Sequence, residues 1–183
     1  MEQTEDTPRR MTNVRQDHIS ANSHLVPALY QSISLRKVLA RIAREPVHLC
    51  PYEPEQFLIT HLEAGGDTHG WHWDDYAFAL VWVAHTPPID DGGFVQCVPN
   101  TYWDKENPRL YRQMASSVIH TVELQPGDVY FMRTDTTLHR VAPVQQGYRT
   151  IINMGYAATA DLSSTVDHTT MDTLWGRESA ESA

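Results

Sequence analysis

The spacing of apolar residues changes once along this chain, close to residue 47. Upstream of that point Leu35, Val38, Leu39 and Ile42 recur at intervals of three and four, which gathers them on one side of a helix. Ser34 is placed to cap the start of that helix and Glu45-Pro46 to stop it, because proline lacks an amide hydrogen and disfavours helix in the residue before it. A shorter helix is expected over Pro27 to Ser32. Downstream, short apolar stretches alternate with turn residues, as in antiparallel β-structure. About eight strands of roughly 4–8 residues are expected, near 47–50, 56–62, 70–73, 76–84, 94–98, 118–123, 129–132 taken together with 139–144, and 149–157. Between them stand Gly65-Gly66-Asp67, Pro87-Pro88, Asp91-Gly92-Gly93, Pro126-Gly127-Asp128 and Gln146-Gly147, all of which favour tight turns. Asn107 to Ala115 has the character of a short inserted helix.

These elements predict an all-β core folded as a double-stranded β-helix, a cupin-like jelly roll, with supporting helices on its N-terminal side. Its expected extent is residues 25–160. Residues 1–24 are polar and show no sustained period, so they read as a loosely ordered lead-in or a substrate-covering segment. Residues 161–183 are rich in Ser, Thr and Asp and read as an irregular tail anchored by Trp175. Composition narrows the function classes. The 183 residues, 41% of them hydrophobic, suffice for one sizeable core. A net charge of −9 with scattered basic residues argues against nucleic acid as a partner. No apolar run approaches the roughly 20 residues of a membrane span, and the first residues lack the apolar centre of a signal peptide. Cys50 and Cys97 lie far apart and outside any CxxC pair, which fits a reducing cytoplasm. Nothing in the pattern sets the oligomeric state.

The segment with most chemical content is His69-Gly70-Trp71-His72-Trp73-Asp74-Asp75. In an extended chain residues i and i+2 leave the same face, so His72 and Asp74 can reach one point while Trp73 faces away. His139, early in Leu138-His139-Arg140-Val141-Ala142-Pro143-Val144, is the candidate third ligand. Two imidazoles and one carboxylate on one face of a metal leave sites open, the arrangement of Fe(II) oxygenases. Structural zinc prefers a closed shell of four ligands, often with thiolates, and neither cysteine has ligand spacing. Arg149 stands ten residues beyond His139, after the turn at Gln145-Gln146-Gly147. If the strands on either side of that turn pair, Arg149 lies deep in the barrel, where a guanidinium can hold the far carboxylate of a dicarboxylate in two hydrogen bonds.

The pattern His139-x-Val141-x-Pro143-Val144-x-x-Gly147-x-Arg149 resembles the closing hairpin of 2-oxoglutarate-dependent dioxygenases of the prolyl-hydroxylase type. Gly92-Gly93 followed by Val98-Pro99-Asn100, and Pro126-Gly127-Asp128, are similar to further landmarks of that family. His69-Gly70-Trp71-His72-Trp73 and Glu55 resemble a smaller clade that halogenates or hydroxylates free amino acids such as lysine. In the halogenases of that clade glycine replaces the carboxylate ligand and leaves room for chloride; here Asp74 fills the place, so the resemblance implies the hydroxylase branch. It covers roughly Pro8 to Trp175. Members carry further N-terminal helices, so the start of this chain is expected to be truncated or misassigned. The resemblance implies Fe(II) as cofactor, 2-oxoglutarate and O₂ as co-substrates, and release of succinate as a substrate C–H bond is oxidised. It assigns Glu55 and Asp75 to the side-chain amine of the substrate, His69, Trp175 and Arg9 to its α-carboxylate, and Asn153 to another polar contact.

Plainer readings stand beside these. His69 fits equally a core or metal-supporting histidine, Glu55 a solvated loop residue, Asp75 a turn stabiliser and Arg9 a solvated cation. Trp71, Trp73 and Trp82 read as core or pocket wall. The alternatives for the whole chain are a halogenase or desaturase of the same family, or a non-catalytic jelly-roll binding module.

Overall fold

A computed structural model describes residues 7–164, 166 and 168. In chain order the elements are β1 (Arg9–Arg10), β2 (Thr12–Val14), α1 (Gln16–Asn22), α2 (Leu25–Gln31), α3 (Ile33–Ala43), β3 (His48–Leu49), β4 (Phe57–Glu63), β5 (Thr68–His72), β6 (Phe78–His85), β7 (Val95–Pro99), α4 (Leu110–Ala115), β8 (His120–Val122), β9 (Val129–Arg133), β10 (Thr137–Val141) and β11 (Tyr148–Ala157). Two antiparallel sheets face each other as a double-stranded β-helix. One has the order β1-β5-β10-β7-β8; the other has the order β2-β4-β11-β6-β9, with β3 paired to the end of β11.

The alternation along β11 shows how the layers arise. Arg149, Ile151, Asn153 and Gly155 face the space between the sheets, while Met154 and Tyr156 turn outward onto the helices. There they join Ile19 of α1, Val26 and Tyr30 of α2 and Leu39 of α3 in the main apolar core. The Tyr30 hydroxyl donates to Gly155 O at 3.0 Å and accepts from Cys50 N at 2.8 Å, fixing α2 to the sheet.

Several expectations are corrected here. The cap of α3 is Ser32, whose Oγ accepts from Leu35 N at 3.2 Å, and not Ser34, which lies inside the helix. Leu35 and Leu39 face the core, whereas Val38 and Ile42 are exposed. The helix ends with Arg44 in the left-handed conformation, ahead of Pro46. Within the described part of the lead-in β1 pairs with β5 and β2 with β4 through backbone groups, an ordering that needs no apolar period and leaves none to read. The stretches 129–132 and 139–144, expected as one strand, are β9 and β10 in opposite sheets. Thr134 makes the crossing: it is fully buried, its amide donates to Ala77 O at 2.9 Å, and its hydroxyl donates to Tyr76 O at 2.9 Å. For the same reason β10 and β11 do not pair, and Arg149 approaches His139 from the facing sheet. Of the tail, only residues 161–164, 166 and 168 are described; Trp175 lies outside the described residues. Among the described residues no helix is long and apolar enough to cross a membrane.

Candidate active site

His72 and His139 are direct partners across β5 and β10. Asp74 follows two residues after His72, and its amide meets Thr134 O at 3.4 Å. Ligand atoms of His72, Asp74 and His139 all lie within 4.8 Å of one another, with Asp74 Oδ1 3.5 Å from His72 Nε2 and 3.9 Å from His139 Nε2. Each imidazole is oriented from behind: His72 Nδ1 is 2.6 Å from Gly70 O, and His139 Nδ1 is 2.9 Å from Thr137 O. A carbonyl only accepts, so both Nδ1 atoms carry the hydrogen and both Nε2 lone pairs face Asp74, as metal ligation requires. Burial, with the His139 ring next, holds His72 well below the usual histidine range, which keeps it neutral. This donor set belongs to the Fe(II) oxygenases.

A bulge adds His69 to the group. Between the paired positions β5 advances from His69 to His72 while β10 advances only from Val141 to His139. The extra residue turns His69 to the same face as His72, and their rings stack with centroids 3.5 Å apart. Gly70 makes the bulge feasible, since a Cβ there would lie 2.6 Å from Pro8 O, the carbonyl that accepts the Gly70 amide.

The cavity between the sheets, about 150 Å³, brings the remaining sequence-derived candidates together, apart from Trp175. Arg149 lies at one end with no exposed surface, and none of its three guanidinium nitrogens has a hydrogen-bond partner among the described residues. The phenol of Tyr130 is near enough to feel that charge, although the geometry of a hydrogen bond is not met. The glycines of the motif answer to the backbone nearby: both have positive φ, a Cβ at Gly92 would collide with Pro143 O, and one at Gly93 would crowd the Pro87 ring at 3.2 Å. Asn153 is about 13 Å further along β11 at ~3.3 Å per residue, on the same face, with Oδ1 buried and no hydrogen-bond partner among the described residues.

Glu55 and Asp75 form an acidic wall. Glu55 ends a single 3-10 turn, Glu53–Glu55, that sits against Gly155, where a Cβ would lie 2.6 Å from Glu55 O. Burial, then the Asp75 and Asp74 carboxylates, push Glu55 up to about 8, against the pull of Lys105 and Arg9. Asp75 is also raised by burial and accepts from Lys105 Nζ at 2.6 Å. Arg9 is the cross-strand partner of His69 and lines the same cavity.

Trp103, Tyr130, Lys105 and His168 at this site escaped the sequence reading. Tyr130 lay in an expected strand whose inward face the alternation did not set. Lys105 lies in a loop with no period. His168, in the stretch read as irregular tail, stacks on Tyr52 with centroids 3.7 Å apart and brings Nδ1 to 3.5 Å from Glu55 Oε1.

The model of the Halogenase D family matches residues 1–176. The chain belongs to the Halogenase D family. Solved structures place this Halogenase D member among relatives that share its fold. The carbocyclase SnoK of nogalamycin biosynthesis, described as non-heme and α-ketoglutarate dependent, has a TM-score of 0.65 at 14% identity, over 93% of this chain and 71% of its own. The epimerase SnoN of the same biosynthesis has a TM-score of 0.61 at 17% identity, over 84% of this chain and 66% of its own. EctD from S. alaskensis, solved with 2-oxoglutarate and 5-hydroxyectoine, has a TM-score of 0.61 at 14% identity, over 81% of this chain and 57% of its own. The chain thus spans less than two thirds of the length of SnoN and EctD. No curated protein matches the sequence.

Proposed function

We propose that this chain is an Fe(II)- and 2-oxoglutarate-dependent oxygenase that hydroxylates an unactivated C–H bond of a small free amino acid, a basic one such as lysine. One observation carries the reading: a two-histidine, one-carboxylate donor set shares a cavity with a buried guanidinium that has no hydrogen-bond partner among the described residues. A buried cation without an anion is costly, and a bound dicarboxylate removes that cost. His72, Asp74 and His139 would hold the metal, and Arg149 the far carboxylate of 2-oxoglutarate. The bound metal and co-substrate supply oxidation of C–H bonds by O₂, with succinate and CO₂ released. The protein's part is to aim the substrate. Glu55 and Asp75 face a side-chain ammonium; His69, Arg9 and Asn153 supply donors to the α-carboxylate and its surroundings, and Trp175 keeps the carboxylate role that the resemblance implies. Two free cysteines, Cys50 buried and Cys97 half-buried, fit the cytoplasm as the working compartment.

Membership of the Halogenase D family favours a second reading, halogenation at the same site. Asp74 weighs against it, because its carboxylate fills the corner that glycine leaves open in the halogenases this chain resembles. A turnover screen across free amino acids, reading succinate and product mass with chloride present, tests both. The expected result is succinate formed with a basic amino acid and a product heavier by one oxygen. No succinate with any amino acid contradicts the proposal, and a chlorinated product from the wild type selects halogenation. Chlorination confined to Asp74→Gly agrees with hydroxylation by the wild type.

A further inference from the structure

Lys105 has no part in the reading above, yet its charge sits at the acidic wall. It belongs to the loop between β7 and α4, whose backbone is fixed locally. Tyr102 N donates to Gln113 Oε1 at 2.8 Å, Gln113 Nε2 donates to Tyr102 O at 2.7 Å, and the Asp104 carboxylate accepts from the amides of Glu106 and Asn107. From this frame the Lys105 side chain, 46% exposed, reaches Asp75. Its ammonium stands 2.6 Å from Asp75 Oδ1 and 4.4 Å from the centre of the Trp103 ring. A carboxylate beside an aromatic face is a built cation site. Asp75 and Trp103 both line the cavity, as does Glu55, whose Oε1 is buried with no hydrogen-bond partner among the described residues. Asp75 alone is paired with the Lys105 ammonium, while Glu55 Oε1 lies 3.5 Å from His168 Nδ1, and that ammonium is on a half-exposed stem that can rotate away while the loop backbone keeps its contacts.

We propose that Lys105 is a built-in occupant of the ammonium subsite formed by Asp75 and Trp103, displaced when the ammonium of an incoming ligand takes its place. The inference rests on the cationic substrate proposed above and makes Lys105 a specificity-determining residue. An incoming ammonium replaces one ion pair by another. A neutral side chain of the same length leaves Asp75 unpaired if it displaces Lys105, so it is rejected.

The test is calorimetric titration of n-butylammonium chloride into the full chain, loaded with Fe(II) and 2-oxoglutarate without oxygen. Wild type, Lys105→Met and Lys105→Arg are compared, with n-butanol as the neutral probe. Lys105→Met is expected to bind butylammonium tighter by roughly three- to fivefold, the scale of an ion pair with one half-exposed partner. Lys105→Arg should stay near wild type, and butanol should show no such gain. Equal or weaker binding of butylammonium by Lys105→Met, or no binding by any variant, overturns the proposal. The same variants are then assayed for succinate with L-lysine, L-ornithine and L-arginine. If none is turned over while the tighter binding of butylammonium persists, the amino-acid substrate is wrong and the displaced lysine stands.

Discussion

Arg149 carries a full charge into the interior, with no exposed surface and no hydrogen-bond partner among the described residues. Such a group destabilises the chain until an anion reaches it. Replacing it by methionine should therefore separate two effects. The ligand-free protein should keep or gain stability in thermal unfolding, by about 1–3 kcal/mol, whereas affinity for 2-oxoglutarate in calorimetry should fall by at least ~30-fold, as when one partner of a buried charge pair is removed. Glu55 behaves in the same sense. Its carboxyl is raised to about 8 by burial and by Asp75 and Asp74, with Lys105 and Arg9 opposing. The folded chain thus holds a proton that the unfolded chain releases near its ordinary value. The stabilising contribution is full below about 4.5 and is lost as pH rises through about 8. Glu55→Gln should consequently gain thermal stability over wild type as pH rises across that window, and a gap that stays constant with pH would contradict the burial argument.

At the scale of elements, the geometry depends on one irregularity. The rule that residues i and i+2 share a face placed His72 and Asp74 on a common point, and the structure brings their ligand atoms together. The same rule puts His69 and His72 on opposite faces; the bulge in β5 reverses it, and no pattern of apolar residues encodes a bulge. Gly70 is the only trace of it in the sequence, and its reason is the approach of Thr7 and Pro8, just ahead of β1, in a stretch too short and polar to be read. Gly70→Ala pushes a methyl group toward Pro8 O and the Thr7 side chain. It should cost about 1–3 kcal/mol of stability in chemical denaturation. It should also weaken Co(II) binding, used as a spectroscopic stand-in for iron, because the His72 ring is held by Gly70 O. A stable variant with unchanged Co(II) affinity would show that the bulge does not position the ligand.

At the scale of the molecule, the three metal-binding candidates belong to one sheet or its immediate extension, and Arg149 belongs to the other. A co-substrate that touches both ties the two sheets together. Fe(II) with 2-oxoglutarate should therefore slow hydrogen exchange in β5 and β10 and also in β11, while the metal alone protects only the first two. The jelly roll and the donor set were legible because alternation, glycine turns and histidine spacing are local properties. The sheet to which each strand belongs was not, since the crossing at Thr134 depends on hydrogen bonds to Tyr76 and Ala77, distant in sequence. The hairpin expected to bring Arg149 near the metal does not form; Arg149 faces the cavity because of its position on β11. Lys105 and His168 act through loop and tail contacts that no periodicity marks. The most direct measurement is a visible-absorption titration of 2-oxoglutarate into the Fe(II)-loaded chain without oxygen. The account predicts the weak charge-transfer band of the chelate in wild type, its appearance only at much higher 2-oxoglutarate in Arg149→Met, and its loss in His139→Ala. No band in the wild type, or one indifferent to His139 and Arg149, would contradict it.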